Sequence, residues 1–375
     1  MLIGIDCRMW QETGIGRYCR EITQRLVALN TNDTFILFLT SKTIESDDAL
    51  LNRLKDTPNV QIVLADYPWY TFSEQISFLI KLYSYKLDVV FFPQTNHPIL
   101  YFRPFVVTVH DLTMLRVVTG RATTLPIYIY AFKLLAFLIT VLSAMYRSKK
   151  VFVVSNYERD SYIRTFKISS ERVVYTPNSI ADEFKKVPSK DVIPVLSKYN
   201  IKPPYFFNVG NAYPHKNLPN LLLAFSKVVQ EYPDIHLVLG GKTTVFHTKL
   251  KEYVEQHNIP NVIFTGFIAD ADLPAIYTGS LAYVAPSLYE GFGIFILEAL
   301  ACETPVLSSN ATSLPEVGGS FAHYFDAHSS AEIETVLRDF ISNPVKPPKD
   351  EVLQHLSQYS WDKSARTISN SLKSL

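Results

Sequence analysis

Short apolar runs rich in β-branched and aromatic residues recur along the first half of the chain, at Leu2–Ile5, Phe35–Leu39, Val60–Leu64, Val89–Phe92, Phe105–Val109, Val151–Val154 and Val173–Tyr175. Their hydrophobicity is continuous rather than alternating, the mark of strands covered on both faces. Helix-length segments separate most of them, at Gly16–Asn30, Phe72–Tyr85, Leu125–Tyr146 and Asn156–Phe166. The pattern then restarts. Strands are expected at Tyr205–Val209, Ile235–Leu239, Val262–Phe264, Leu281–Ala285 and Val306–Ser308. Helices are expected at Leu218–Glu231, Thr248–His257, Leu273–Gly279, Ile294–Cys302 and Ala331–Ser342. Alternation of this kind predicts an α/β chain with two Rossmann-like, doubly wound parallel sheets.

The predicted organisation is a first domain over residues 1–186, a Pro-, Lys- and Ser-rich linker over 187–204 and a second domain over 205–351. A C-terminal helix over 352–375, carrying Trp361, has no following strand and is expected to pack back toward the first domain. Ligands of such sheets bind at the carboxyl ends of the strands, so a cleft between the domains is the expected site.

Composition narrows the reading. The chain has 375 residues, 47% hydrophobic and 19% charged, which suits two globular cores and excludes disorder. A net charge of +1 gives no reason to expect nucleic acid as a partner. Cys7, Cys19 and Cys302 are far apart, form no CxxC pair and read as reduced thiols of a cytoplasmic protein, with no zinc site. Met1 leads straight into a strand pattern, which leaves no room for a signal peptide.

Leu125–Tyr146 is apolar and long enough to cross a bilayer. Its aliphatic residues favour insertion by about 0.3–0.6 kcal/mol each, against about 2.5–3.5 for Lys133. Topology decides the matter. The runs before and after it read as buried parallel strands, and a crossover helix must return the chain to the same sheet. A docked helix is therefore expected, with Arg147, Lys149 and Lys150 suited to peripheral contact with anionic lipid on the inner face of a membrane.

Candidate chemistry concentrates in Ser287-Leu-Tyr-Glu290-Gly291-Phe292-Gly293-Ile294-Phe-Ile-Leu-Glu298. A strand enters a glycine-containing loop and a helix starts near Gly293. The positive end of that helix suits a diphosphate, and the glycines allow close approach of a ligand. Glu290 before the helix and Glu298 on it can accept hydrogen bonds from sugar and ribose hydroxyls. A second strand end, Gly210-Asn211-Ala-Tyr-Pro-His215-Lys216, carries a lysine that can neutralise charge growing on a leaving diphosphate. His110-Asp111 follows a buried strand, where an imidazole can orient a hydroxyl or share a proton. Thr13-Gly14-Ile15-Gly16-Arg17 lies between the first strand and helix but falls short of a dinucleotide fingerprint.

The Glu290–Glu298 segment reproduces a Glu-x7-Glu pattern within EGFGxxxxE, and by it the chain resembles the retaining nucleotide-sugar glycosyltransferases of family 4, with the GT-B fold. The resemblance runs from the Gly-Ile-Gly-Arg loop to the C-terminal Ser-Trp-Asp helix. It implies that Glu290 contacts the donor sugar, that Glu298 contacts the nucleotide ribose, and that Lys216 meets the diphosphate. It implies a donor-phosphate loop at Gly14, Gly16 and Arg17, a histidine near the reacting sugar at His110, and base contacts around Thr265, Gly266, Phe267 and Ile268. Asn211 departs from the family, which places an arginine after Gly210; His215 is a candidate substitute. Tyr70, Glu74 and Gln75 resemble acceptor-side sequence, although surface helix capping explains them equally. Ser308, Ser309 and Asn310 are further candidates to line the cleft edge or to cap the next turn.

The resemblance also implies retention of configuration and a polysaccharide-building mannosyltransferase, with GDP-mannose the favoured donor and a saccharide or lipid-linked saccharide as acceptor. No Asp-x-Asp lies in an obvious loop, so catalysis without a metal or other cofactor is expected. Closure of the domains about 187–204 would exclude water. Rival readings are a GT-B epimerase or phosphorylase, a non-catalytic nucleotide-sugar binding protein, and a membrane-anchored structural protein.

Overall fold

The computed structural model describes residues 1–116 and 127–375. Two compact units divide them. The first holds a seven-stranded sheet of β1 (Leu2–Asp6), β2 (Thr34–Leu39), β3 (Val60–Leu64), β4 (Val89–Phe92), β5 (Phe105–Val109), β6 (Val151–Val153) and β7 (Val173–Tyr175). The order is β3-β2-β1-β4-β5-β6-β7 and every pairing is parallel. Val89 to Phe92 and Phe105 to Val109 are wholly inside, as their unbroken apolar runs require.

The second unit holds β8 (Tyr205–Val209), β9 (His236–Gly240), β10 (Val262–Gly266), β11 (Ala282–Ala285), β12 (Val306–Ser309) and β13 (Ala322–Phe325). Their order is β10-β9-β8-β11-β12-β13, again parallel. Strand order reverses between β1 and β4 in the first sheet and between β8 and β11 in the second. At these switch points the loops leaving the strands diverge to opposite faces and open a crevice. The second sheet and the helices Leu218–Glu231 and Ser330–Ser342 bury one core around Phe206, Leu221, Phe225, Val284, Ile333 and Leu337.

Several boundaries differ from the expectation. The edge strand β13 was not foreseen; its residues are mostly half-exposed, so it carries no apolar run. Residues 187–204 are not an extended linker. They contain a helix, Ser189–Lys198, which turns Val192 and Leu196 inward within the second unit. Lys198 and Tyr199 both reach the Asp272 carboxylate, at 2.6 and 2.7 Å. Pro194 inside the helix and a single buried stripe gave the segment its linker-like composition. The first unit ends at Asn178 rather than 186, and the chain returns to it at Ser360.

The expected single C-terminal helix is two, Lys349–Leu356 in the second unit and Trp361–Lys373 in the first. Ser360 caps the latter by accepting from the Lys363 N–H. Its inward face, Trp361, Ala365, Ile368 and Leu372, follows helical spacing, and Trp361 lies 5.9 Å from the Tyr18 ring on the helix Gly14–Leu29. Burying each large side chain of this kind stabilises the contact by about 1.5–3 kcal/mol.

The long apolar helix is described over Ile127–Arg147; the expected start at Leu125 lies outside the described residues. β5 and β6, which flank it in the chain, pair in parallel in one sheet, so it is a crossover as expected.

Candidate active site

The second unit's switch point brings together two motifs whose key residues, Lys216 and Glu290, are 74 positions apart in the sequence. After β8 the chain passes Gly210 into a short turn, Pro214–Lys216, and Asn217 adopts a left-handed conformation (φ 59°) before the helix Leu218–Glu231. After β11 it passes Pro286 into the loop that ends at Gly293, the cap of the helix Ile294–Ala301. Backbone and side-chain bonds lock the loops together: Leu288 N–H donates to the His215 carbonyl at 2.7 Å, and the Asn217 amide donates to the Pro286 carbonyl at 2.9 Å.

This places the Lys216 Nζ 2.7 Å from Glu290 Oε1, with the ammonium also 5.0 Å from the centre of the Phe295 ring. The side chains keep 21% and 11% of their surface, enough for a ligand to reach them. Thr312 Oγ1 meets both the N–H and the carbonyl of Glu290 at 3.0 Å, and Ser313 donates to the Glu290 and Phe292 carbonyls at 2.9 and 3.0 Å. Thr312 itself sits at φ 51°, an unfavourable setting for a β-branched residue. The backbone of Glu290 is thus held by residues following β12 that the sequence reading did not single out.

Gly293 is required by geometry. Its φ is +94°, and a Cβ there would lie 2.5 Å from the Leu314 side chain. Gly291 and Phe292 are buried beside it, and Phe292 packs edge-on against Tyr359. The first N–H groups of the helix beginning at Ile294 have no acceptor within the helix, which makes this end electropositive.

Glu298 is buried on the same helix, and its Oε2 accepts from the Tyr277 hydroxyl at 3.0 Å. Burial first, then the Glu298 charge, push the Tyr277 phenol well up, so it stays a donor. The nearby Cys302 thiol is pushed up for the same two reasons. Across the sheet, Gly210 (φ +144°) leaves open space where a side chain would stand, and Asn211 is exposed. Phe267, 60% exposed after β10, has the Lys242 ammonium over its ring at 5.8 Å. Lys242, in Gly240-Gly241-Lys242 after β9, is a cation the sequence reading missed.

Ser308 and Ser309 are wholly buried and so line no surface; Ser308 donates to the Ser309 carbonyl at 3.1 Å and Ser309 to the Ser287 carbonyl at 2.6 Å. Asn310 is exposed, its N–H bonded to the Phe325 carbonyl.

In the first unit, His110 follows β5 with Nε2 2.9 Å from the Pro93 carbonyl. A carbonyl only accepts, so Nε2 carries the proton and Nδ1 the lone pair. The Tyr18 ring stands edge-on at 4.7 Å, and burial holds the imidazole pKa below its ordinary value. Asp111 accepts from the Thr113 N–H at 2.8 Å, a local turn bond. Gly14 and Gly16 lie in the first helical turn, not in a loop before it, because the helix starts at Gly14. A Cβ at Gly16 would meet the Trp10 and Met9 carbonyls at 2.6 and 2.8 Å, whereas Gly14 faces open space. Glu74 is no surface cap. It is fully buried, paired with Arg8 at 2.6 Å, and accepts from the Tyr70 N–H. Gln75 holds the 97–99 backbone through the His97 carbonyl and the Ile99 N–H.

Residues 13–184 match the model of Glycosyltransferase Family 4, and residues 193–360 that of Glycosyl transferases group 1. The O-antigen chain mannosyltransferase B of Escherichia coli is 32% identical over 61% of this chain. That match spans 61% of the relative's own length; a match to the serotype-specific mannosyltransferase WbdA of the same organism spans 29% of its length. The O-antigen chain mannosyltransferase RfbU of Salmonella typhimurium is 26% identical over 80% of this chain and 78% of its own. A crystal structure of Anabaena HepE in complex with UDP and glucose shares the fold with a TM-score of 0.76 at 16% identity, covering 100% of both chains. WaaG, a glycosyltransferase involved in lipopolysaccharide biosynthesis, does so with a TM-score of 0.67 at 14% identity, over 99% of this chain and 95% of its own. Family models over both halves, relatives among O-antigen mannosyltransferases and two parallel-sheet units agree: the chain belongs to the family 4 glycosyltransferases and has their GT-B fold.

Proposed function

We propose that this chain transfers a hexose, mannose in the favoured reading, from a nucleotide-diphosphate sugar to a saccharide or lipid-linked saccharide in surface polysaccharide biosynthesis. GDP-mannose is the favoured donor. The names of the relatives support mannose and the O-antigen context. The observation that carries the reading is the Lys216–Glu290 pair at the switch point of the second sheet, next to a helix N-terminus.

In the proposed reaction the bond from the anomeric carbon to the diphosphate breaks, and its electron pair goes to the phosphate oxygen. Lys216 and the helix start at Ile294 stabilise that charge, a contribution typically worth about 3–4 kcal/mol of barrier for one well-placed donor. The acceptor hydroxyl bonds to the same carbon on the face the diphosphate leaves, and its proton passes to the departing phosphate. Configuration is thereby retained. Glu290 holds a donor-sugar hydroxyl, Glu298 with Tyr277 behind it serves the ribose, and His110, neutral with Nδ1 as acceptor, orients a hydroxyl of the reacting sugar. Gly14 and Gly16 are assigned to the donor phosphate, and Gly210, Asn211 and Phe267 to the nucleotide. Lys242 is positioned after β9 to supply a cation that Asn211 does not. The reaction is proposed to run without a divalent ion, in the cytoplasm and in peripheral contact with an anionic membrane face.

A thermal-shift screen against GDP-mannose and other nucleotide sugars tests the donor, since a ligand at a hundred times its Kd adds about 2.7 kcal/mol. Transfer to a saccharide acceptor in the presence of EDTA tests the metal. No shift with any nucleotide sugar, or activity lost to EDTA and restored by magnesium, overturns the corresponding part.

A further inference from the structure

The crossover helix Ile127–Arg147 is apolar on both faces, and Phe137, Val141, Ala144 and Met145 face the core. Its inner face includes Thr140, Ser143 and, just past its end, Ser148, all buried. Its outer face presents Tyr128, Phe132, Leu135, Ile139, Leu142 and Tyr146, spaced as one helical stripe and exposed by between 37% and 72%. A helix docked on a soluble core normally turns a polar face outward. Here the outward side is apolar as well.

The stripe continues onto neighbouring elements of the same unit. Arg147 donates to the Ile99 and Tyr101 carbonyls and lies 4.5 Å over the exposed Phe102 ring. The Tyr83 hydroxyl accepts from the Phe102 N–H at 2.9 Å, which ties that loop to the helix Leu79–Ser84. Ile80 on that helix and Ile76 in the helical turn Glu74–Phe78 before it, 65% and 57% exposed, add a further apolar step. Isolated exposed leucines mean little, but a continuous apolar face across three elements marks an interaction surface.

The charges around it choose the occupant. No Asp or Glu occurs at residues 75–87, 89–110 or 127–157, while Lys81, Arg103, Lys133, Arg147, Lys149 and Lys150 all fall there. Two copies of this face apposed would set cation against cation. An anionic lipid surface satisfies both the apolar stripe and its basic surround. The helix does not span: Phe137, Val141, Ala144 and Met145 are built into the core beneath it, and β5 and β6 return to one sheet. We propose that the outer face of Ile127–Arg147, with Phe102, Ile76 and Ile80, lies in the plane of an anionic bilayer and buries its apolar stripe at the headgroup boundary. This rests on the membrane contact proposed above, and not on the donor chemistry.

The test is flotation of the full chain with vesicles of phosphatidylethanolamine and phosphatidylglycerol, against vesicles of phosphatidylcholine alone. Wild type should float with the anionic vesicles and far less with the neutral ones. Leu135→Glu/Ile139→Glu should weaken binding by about tenfold or more, and Lys133→Glu/Lys149→Glu by roughly fivefold per lysine on anionic vesicles. Both should keep their transfer to a soluble acceptor. Ile76→Glu/Ile80→Glu, on a different element, repeats the apolar arm should the first pair fail to fold. Glu290→Ala should bind vesicles like wild type, so a failed donor reading stays distinguishable from a failed docking reading. No flotation, undiminished flotation of both apolar variants, resistance to alkaline carbonate extraction, or a wild-type dimer that Leu135→Glu/Ile139→Glu converts to monomer would each overturn the proposal.

Discussion

The Lys216 ammonium and the Glu290 carboxylate form an ion pair 2.7 Å long that bridges the loops after β8 and β11. Neither group is deep enough for the pair to act chiefly as a brace, since such part-exposed pairs contribute about 1 kcal/mol or less. Lys216→Ala is therefore expected to leave the urea midpoint nearly unchanged and to lower kcat by roughly a hundredfold to a thousandfold. Glu290→Gln should keep the fold and lose sugar positioning. Wild-type transfer rates in either variant would remove both residues from the mechanism.

Thr312 bears on the same carboxylate from behind. Its hydroxyl accepts from the Glu290 N–H and donates to the Glu290 carbonyl, while its own backbone stays at φ 51°. A strained residue that grips a reactive one is a positioning device. Thr312→Val keeps the shape and removes both bonds, and kcat/KM should fall by roughly tenfold to a hundredfold, the net worth of two hydrogen bonds. Thr312→Ser should restore most of it. Equal kcat/KM in the valine variant would mean that Glu290 is positioned by other contacts.

The glycines separate packing from ligand approach. At Gly16 a Cβ would strike two backbone carbonyls, and at Gly293 it would strike Leu314 at a positive φ. Alanine at Gly293 should cost about 1–3 kcal/mol of stability, read as a shifted denaturation midpoint. Alanine at Gly16 should cost at least as much, because backbone cannot move aside. Gly14 has open space around it, so Gly14→Ala should be stable; a loss of donor affinity in that stable variant would place the ligand at this turn. Unchanged affinity would take Gly14 out of the donor site.

What the chain's pattern disclosed follows from how local each feature is. Glu290, Gly293 and Lys216 were legible because each sits at a strand end running through a turn into a helix, a signal contained in about ten residues. Thr312, Ser313 and Tyr277 were not, because their roles come from contacts between residues about twenty apart or more. Glu74 misled for a related reason: a carboxylate in a polar-looking helix start reads as a surface cap until Arg8 is seen to reach it in the core. The helix Ser189–Lys198 was hidden by Pro194 and β13 by its half-exposed edge position. The long helix was visible as apolar, but its exposed apolar stripe was not, since hydropathy does not say which stripe faces in.

His97 makes the first unit sensitive to acid. The ring is fully buried, with Nδ1 2.9 Å from the Thr95 carbonyl and Nε2 3.0 Å from the Ser143 hydroxyl, which itself accepts from Arg147. Nδ1 must donate to the carbonyl, so Nε2 is the acceptor and the neutral tautomer is the one that fits. Burial lowers the pKa from its ordinary 6.5 to about 4, and the Arg147 charge adds to the effect. The folded state thus binds fewer protons than the unfolded chain between these values. The stabilisation is complete above about pH 6.5 and is lost as the pH falls toward 4, by about 3 kcal/mol in all. Urea denaturation across this range should show the loss in wild type. His97→Gln, which does not titrate, should be less stable at neutral pH and show a flatter dependence. A parallel slope in the variant would assign the acid sensitivity to other groups. Protonation of His97 would also reverse its bond to Ser143 and set a second cation against an oxygen that already accepts from Arg147, so the same acid range should reduce the helix's amide-exchange protection before the second unit responds.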